Sequence, residues 1–305
     1  MKWRKLGIVW GPDGASSWAR THAMLPTPVL RDDGSIRVYV TCCDESMVGR
    51  PSYVDVSAED PTRVLRVASQ PLLDVGLPGT FDENGIAAVS VVRSGSGWRM
   101  YFVGFELGTR IRYRLLTGLA ESEDGATFRR VKRTPVLERS DAELYFRCGN
   151  HVVVEGRTHR MWYVAGSAWT EVNGKPMPVY TVKYLESGDG LNWPDEGVSC
   201  IELSDGDEHG FGRPWVVRSS SGYEMFLSVR RRSMGAYRLG YATSPDGLTW
   251  TRRDGELGLD VSNEGFDSQA IMYSAVIQTP AGRFLFYNGN DFGRDGFAVA
   301  VLESC

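Results

Sequence analysis

Four carboxylates stand at matched places in this chain. Asp82, Glu143 and Asp267 each lie nineteen residues before an aromatic strand core (Tyr101, Trp162 and Phe286), and Glu208 lies eighteen before Phe226. Arg20 holds the corresponding place nineteen before Tyr39. Carboxylates gathered at one site raise one another's pKa values. A set split in that way suits glycosyl transfer, in which one carboxyl donates a proton to the leaving oxygen and another serves as base or nucleophile. Asp82, Glu208 and Asp267 are the catalytic candidates. Glu208 is the expected general acid, because desolvation beside His209 and Phe211 would hold a proton on it near neutrality. The competing reading is that each acid caps a turn or pairs with a neighbouring base.

The same neighbourhoods supply groups that could hold a substrate. Glu143 completes the acid set, and Arg20, His22, Arg147, His209 and Arg213 lie close to it in sequence. An arginine grips phosphate or carboxylate through its planar fork; if Arg20, Arg147 and Arg213 converge, an anion should bind there. Trp18 offers a face for stacking on a sugar ring. Asp44 is a nearby acid in the first repeat, and Asn288 and Asn290 lie in the glycine-rich segment YNGNDFGRDGF. Arg230 joins the substrate-binding set, although the run Arg230 to Arg232 reads as a solvated turn rather than a nucleic-acid patch. No metal-ligand spacing or dinucleotide fingerprint is present, so no cofactor is expected.

The elements that must position these residues repeat. The aromatic cores IRVYV, WRMYF, HRMWYV, YEMFL and RFLFY recur at spacings of 62, 61, 64 and 60 residues, measured between Tyr39, Tyr101, Trp162, Phe226 and Phe286. That period suits four strands and their turns, the blade of a β-propeller. Three copies are followed by ESEDGATF, ESGDGLNW and TSPDGLTW, whose Asp-Gly pairs mark hairpins rather than active sites. The first copy is degenerate (VSAEDPTRV), and the fifth stops at Ser304 and Cys305. The opening MKWRKLG resembles the strand after the Asp246 turn, so it should supply the missing strand beside Phe297 to Leu302 and close the ring. SAWTEVNGKPMPVYTVKY reads as an extended hairpin over one face. The expected fold is a single all-β, five-bladed propeller of four-stranded antiparallel blades spanning 1-305.

Composition agrees with this. The 305 residues include 35 Gly and 9 Trp, and the net charge of -4 gives no broad basic field for nucleic acid. No apolar run approaches a membrane span or a signal segment. The five cysteines are odd in number and lack C-x-x-C spacing, which argues for buried free thiols and a reducing, cytoplasmic setting.

GTFDENG with Asp82, EHGFGRP from Glu208 to Pro214, GFDSQ with Asp267, and YNGNDFG with Asn288 and Asn290 together resemble the five-bladed propeller superfamily of glycosidases. That superfamily includes arabinanases, xylosidases, invertases and β-mannoside phosphorylases, and the chain is most similar to uncharacterised bacterial members. The resemblance implies a carbohydrate or glycosylated small molecule as partner and a glycoside hydrolase-like activity. The alternatives are an enzyme acting on an anionic sugar or sugar phosphate, including phosphorolysis, and a noncatalytic carbohydrate-binding propeller. The superfamily's hydrolases place a catalytic Asp on the first blade, where this chain has Arg20 and His22.

Overall fold

The computed structural model describes residues 1–204 and 206–303, and nothing of the Ser167 side chain. Ser304 and Cys305, the end of the fifth repeat, lie outside the described residues. The chain opens with β1 (Trp3–Trp10) and then builds four-stranded units in sequence. The first unit is β2 (Thr21–Leu30), β3 (Ile36–Cys43), β4 (Gly49–Val56) and β5 (Val64–Val67). The second is β6 (Ile86–Ser94), β7 (Gly97–Leu107), β8 (Tyr113–Ser122) and β9 (Arg129–Arg130). The third is β10 (Phe146–Glu155), β11 (Thr158–Val172), β12 (Lys175–Ser187) and β13 (Val198–Ile201). The fourth is β14 (Glu208–Ser219), β15 (Gly222–Arg231), β16 (Tyr237–Ser244) and β17 (Thr251–Arg252). The fifth is β18 (Met272–Thr279), β19 (Gly282–Asn288) and β20 (Phe297–Leu302), and its fourth strand is β1. Within every unit the strands pair antiparallel in chain order, and Trp3 stands opposite Leu302.

The aromatic cores are the buried second strands of their units, and three of them also join neighbouring units. The Tyr39 hydroxyl donates to the Gly125 carbonyl at 2.8 Å, that of Tyr101 to Gly190 at 2.7 Å, and the Trp162 indole N–H to Gly247 at 2.8 Å. Each acceptor is the Asp-Gly turn of the following unit. The turn is shaped by Asp accepting two backbone amides and by Ser accepting the Gly amide, as at Asp124 and Ser122. The glycines have φ of +69, +68 and +81, which other residues rarely adopt. Phe226 and Phe286 have no donor, and in the units that follow them no Asp-Gly pair comes after the third strand, the place that Gly125, Gly190 and Gly247 hold in theirs. The choice of core aromatic thus follows the presence of an acceptor.

A second series of bonds runs closer to where the units meet. A side chain of each unit accepts a backbone N–H from the innermost strand of the next. Thr41 accepts from Ala88 at 3.2 Å, Ser90 from Val152 at 3.0 Å, His151 from Val216 at 3.1 Å and Ser228 from Tyr273 at 2.8 Å. Asn288 of the fifth unit accepts from Leu25 of the first at 2.8 Å. Cys42, Cys43 and Cys148 are free and buried, and Cys200 is half-buried. The expected long hairpin is present, pairing β11 with β12 out to Val172 and Lys175.

Candidate functional site

Every innermost strand carries a register shift at the same place: Met24/Thr27, Ala88/Ser90, Cys148/His151, Gly212/Trp215 and Met272/Ala275. A β-bulge re-aims the residue it frees. Leu25, Val89, Gly149, Arg213 and Tyr273 sit within these shifts, and all five line one cavity of about 410 Å³ to which every unit contributes. Leu25, Arg213 and Tyr273 hold φ of +59, +39 and +57, strained for residues with side chains. Strain of this kind concentrates where a structure must present a particular group. These five cavity-lining positions therefore stand twelve to fourteen residues before the core aromatics, and the bulges are what put them there.

Loops joining the second and third strands complete the cavity with Met47, Arg112 and Phe292, and the adjoining strand ends add Phe105, Tyr113, Met177, Arg230 and Tyr237. Among the described residues no Asp or Glu lines it. Three arginines do. Arg213 is only 2% exposed; its Nη1 donates to the Pro26 and Tyr273 carbonyls and its Nη2 to the Thr27 hydroxyl, all neutral partners, while Nε has none. Burial pulls its pKa down to about 9, so it remains a cation at neutral pH. Arg230 lies 4.7 Å from the Tyr237 ring centre and 5.6 Å from that of Tyr180, and its Nη1 is buried without a hydrogen-bond partner. Burial pulls its pKa down, but the facing phenol oxygens of Tyr237, Tyr180 and Tyr273 outweigh this and raise it. Burial raises the pKa of Tyr180, Tyr237 and Tyr273 as well, keeping them protonated and able to donate.

The acid set is elsewhere, and the expectation of an acid-lined centre is corrected. Each acid is almost fully buried and ion-paired, in three cases with a base from the outermost strand of its own unit. Asp82 pairs with Arg130 of β9 at 2.7 Å, Asp267 with Lys5 of β1 at 2.6 Å, and Glu208 with Arg252 of β17 at 3.1 Å. Glu208 also meets Arg231 at 3.1 Å. Glu143 meets Arg147 at 2.6 Å and Lys183 at 3.0 Å, and accepts the Tyr163 hydroxyl. The expected raised pKa of Glu208 is reversed: burial pushes it up, but hydrogen bonds from Arg252 and Ser204 outweigh burial and lower it. The reading in which each acid pairs with a base describes this geometry.

The other candidates divide. Arg213 and Arg230 line the cavity. Arg147 is turned to Glu143 and to the carbonyls of Glu138 and Pro194, and Arg20 is exposed away from the cavity, so the expected trio of arginines does not converge. The run after Arg230 is not a solvated turn: Arg231 pairs with Glu208, and Arg232 donates to Glu171 and Thr170 in the long hairpin. Asp44 accepts the Ser46 and Val48 amides and pairs with Arg50. Asn288 ties β19 to Ala23, Leu25 and Gly296, and Asn290 accepts the Gln269 and Ala270 amides. Trp18 packs in the core between the first and fifth units. His22 and His209 are buried outside the cavity lining, and burial lowers both pKa values. Sequence reasoning missed Arg112, Tyr113, Tyr180, Tyr237 and Tyr273. Their signal was position near the second-to-third strand turns and the inner-strand bulges, since no motif marks them.

No family model matches the chain. Among solved structures, a protein described as "Glycoside hydrolase" superposes with a TM-score of 0.75 at 18% identity, covering 99% of this chain and 92% of its own. A thermostable family-43 glycoside hydrolase superposes at 0.68 with 17% identity, covering 94% and 90%. These likenesses show a shared fold, that of the propeller glycosidases. In sequence, "Uncharacterized protein Rv1502" of Mycobacterium tuberculosis is 34% identical over 304 residues, covering 100% of both chains. A chain that matches another at this level from end to end shares its descent, and this protein belongs to the family of Rv1502.

Proposed function

We propose that this protein is a closed five-bladed β-propeller of glycoside hydrolase-like fold that takes an anionic sugar, a sugar phosphate or uronate, in its central cavity. The observation that carries this is a cavity lined by Arg112, Arg213 and Arg230 and, among the described residues, by no carboxylate. A buried guanidinium without a counter-ion is costly unless a ligand supplies the charge. The surrounding phenols add neutral donors, and a guanidinium fork matches phosphate or carboxylate geometry. Ring closure is supported by the bond from Leu25 to Asn288 and by the pairing of β1 with β20.

A second reading is favoured by the fold shared with glycoside hydrolases: glycosyl transfer by Asp82, Glu208 and Asp267. It requires these acids to leave their ion pairs and reach a sugar. Thermal protection by inorganic phosphate, glucuronate and neutral glucose separates the two. Phosphate or glucuronate should protect the wild type, and Arg230→Gln should lose that protection while keeping its own melting temperature. Protection by glucose alone, or by none of the three, would sink the anionic reading.

A further inference from the structure

The cavity is divided in chemical character between the units that build it. Its cationic and phenolic groups come mainly from the third to fifth units, as Tyr180, Arg213, Arg230, Tyr237 and Tyr273. The first and second units supply Met24, Leu25, Val89, Val103, Phe105 and Leu115. Arg230 belongs to the fourth unit and Val89, Val103, Phe105 and Leu115 to the second, two units apart in chain order, while Arg213 reaches from the fourth unit to Pro26 and Thr27 of the first. Among the polar groups of these two units, the Thr41 hydroxyl accepts the Ala88 amide, while Arg112 and Tyr113 stand at the end of the β7–β8 hairpin, where Tyr113 meets the Tyr180 phenol of the third unit. Met47, 58% exposed, and Phe292, 44% exposed, extend the apolar lining to the mouth.

A sugar hydroxyl pressed against Val89, Val103 and Leu115 would lose its hydrogen bonds to water and gain none. An apolar group placed there would gain by leaving water. Resting on the anionic reading above, we infer that the ligand is amphipathic: an anionic sugar bearing an alkyl or aryl substituent, with the anion on Arg213 and Arg230 and the substituent against Val89, Val103, Phe105 and Leu115. Ligand sites combine apolar walls with a few placed polar groups in this manner.

Methyl phosphate and phenyl phosphate carry the same charged group and test the inference without knowledge of the sugar. Titrated calorimetrically into the full chain, phenyl phosphate should bind about tenfold tighter or more. Phe105→Ser, at a partly exposed position, should narrow that gap and leave methyl phosphate binding unchanged. Equal affinities in the wild type would overturn the amphipathic ligand while the anionic reading stands. A gap that survives both Phe105→Ser and Leu115→Ser would move the ring to the tyrosines and overturn the apolar assignment. If neither phosphate binds, the anionic reading itself fails, and this inference with it.

Discussion

The two charged regions of the molecule are built on opposite principles. Around the outside of the innermost strands, four buried acids meet bases held within their own units, with contacts of 2.6 to 3.1 Å. In the cavity, Arg213 and Arg230 are surrounded by carbonyls, hydroxyls and rings and, among the described residues, meet no carboxylate. Charge that is matched inside the fold serves the fold. Charge left unmatched in a cavity is available to something that enters it. The same residue types therefore mean different things in the two places, and burial alone does not distinguish them.

Removing the first strand should damage the paired region most. Deleting residues 1 to 9 takes away buried Trp3, the pairing with β20 and the Lys5 partner of Asp267. The expected loss is roughly 5 kcal/mol or more, from a large core side chain and an orphaned buried carboxylate. A truncated chain with the wild-type denaturant midpoint would refute closure by β1.

Asp82→Asn is the sharper test of the comparison. It preserves shape but removes the partner of Arg130, so stability should fall by roughly 3 kcal/mol in urea unfolding. Arg230→Gln should leave stability within about 0.5 kcal/mol and abolish anion protection. The opposite pattern, a stable Asp82→Asn that loses turnover of a sugar substrate, would return the acids to catalysis.

The pH dependence isolates a third buried group. Burial, with Arg213 nearby, lowers the His151 pKa from 6.5 to about 3. As pH falls below 6.5 the unfolded chain takes up this proton and the folded chain does not, so stability is lost on acidification until about pH 3. The slope should approach about 1.4 kcal/mol per pH unit for this one proton. His151→Gln should flatten the profile between pH 5 and 6.5, whatever its effect on absolute stability. Glu143 and Glu208, both lowered overall, would add acid loss below their ordinary value of 4.5.

The smallest expected effect belongs to the neutral bonds between units. Tyr101→Phe deletes the donor to Gly190 and keeps the ring, with an expected cost of about 1 kcal/mol. Introducing a tyrosine at Phe226 should bring no gain, because the unit that follows has no Asp-Gly pair after its third strand to accept it. A stabilised Phe226→Tyr would contradict that reading of the aromatic choice.

Much of the strand framework was legible in the sequence because its causes are local. Asp-Gly turns, aromatic strand cores and the period between them depend on neighbouring residues, and the β1 pairing follows from a strand missing at one end and present at the other. The long hairpin over β11 and β12 was legible for the same reason. The charges were not. Counting back nineteen residues did find equivalent positions, but equivalence does not say which way a side chain points. Asp82, Glu208 and Asp267 turn to bases on the outermost strand of their own unit, brought there only when four strands pair. Arg213 and Tyr273 reach the cavity because a bulge with positive φ rotates the strand, a local shift that strand alternation alone would not give. The sequence by itself determined the repeating units and the way they connect. Which charges are neutralised within the fold and which remain open to a ligand was decided only by tertiary structure, since it depends on partners far apart in the chain.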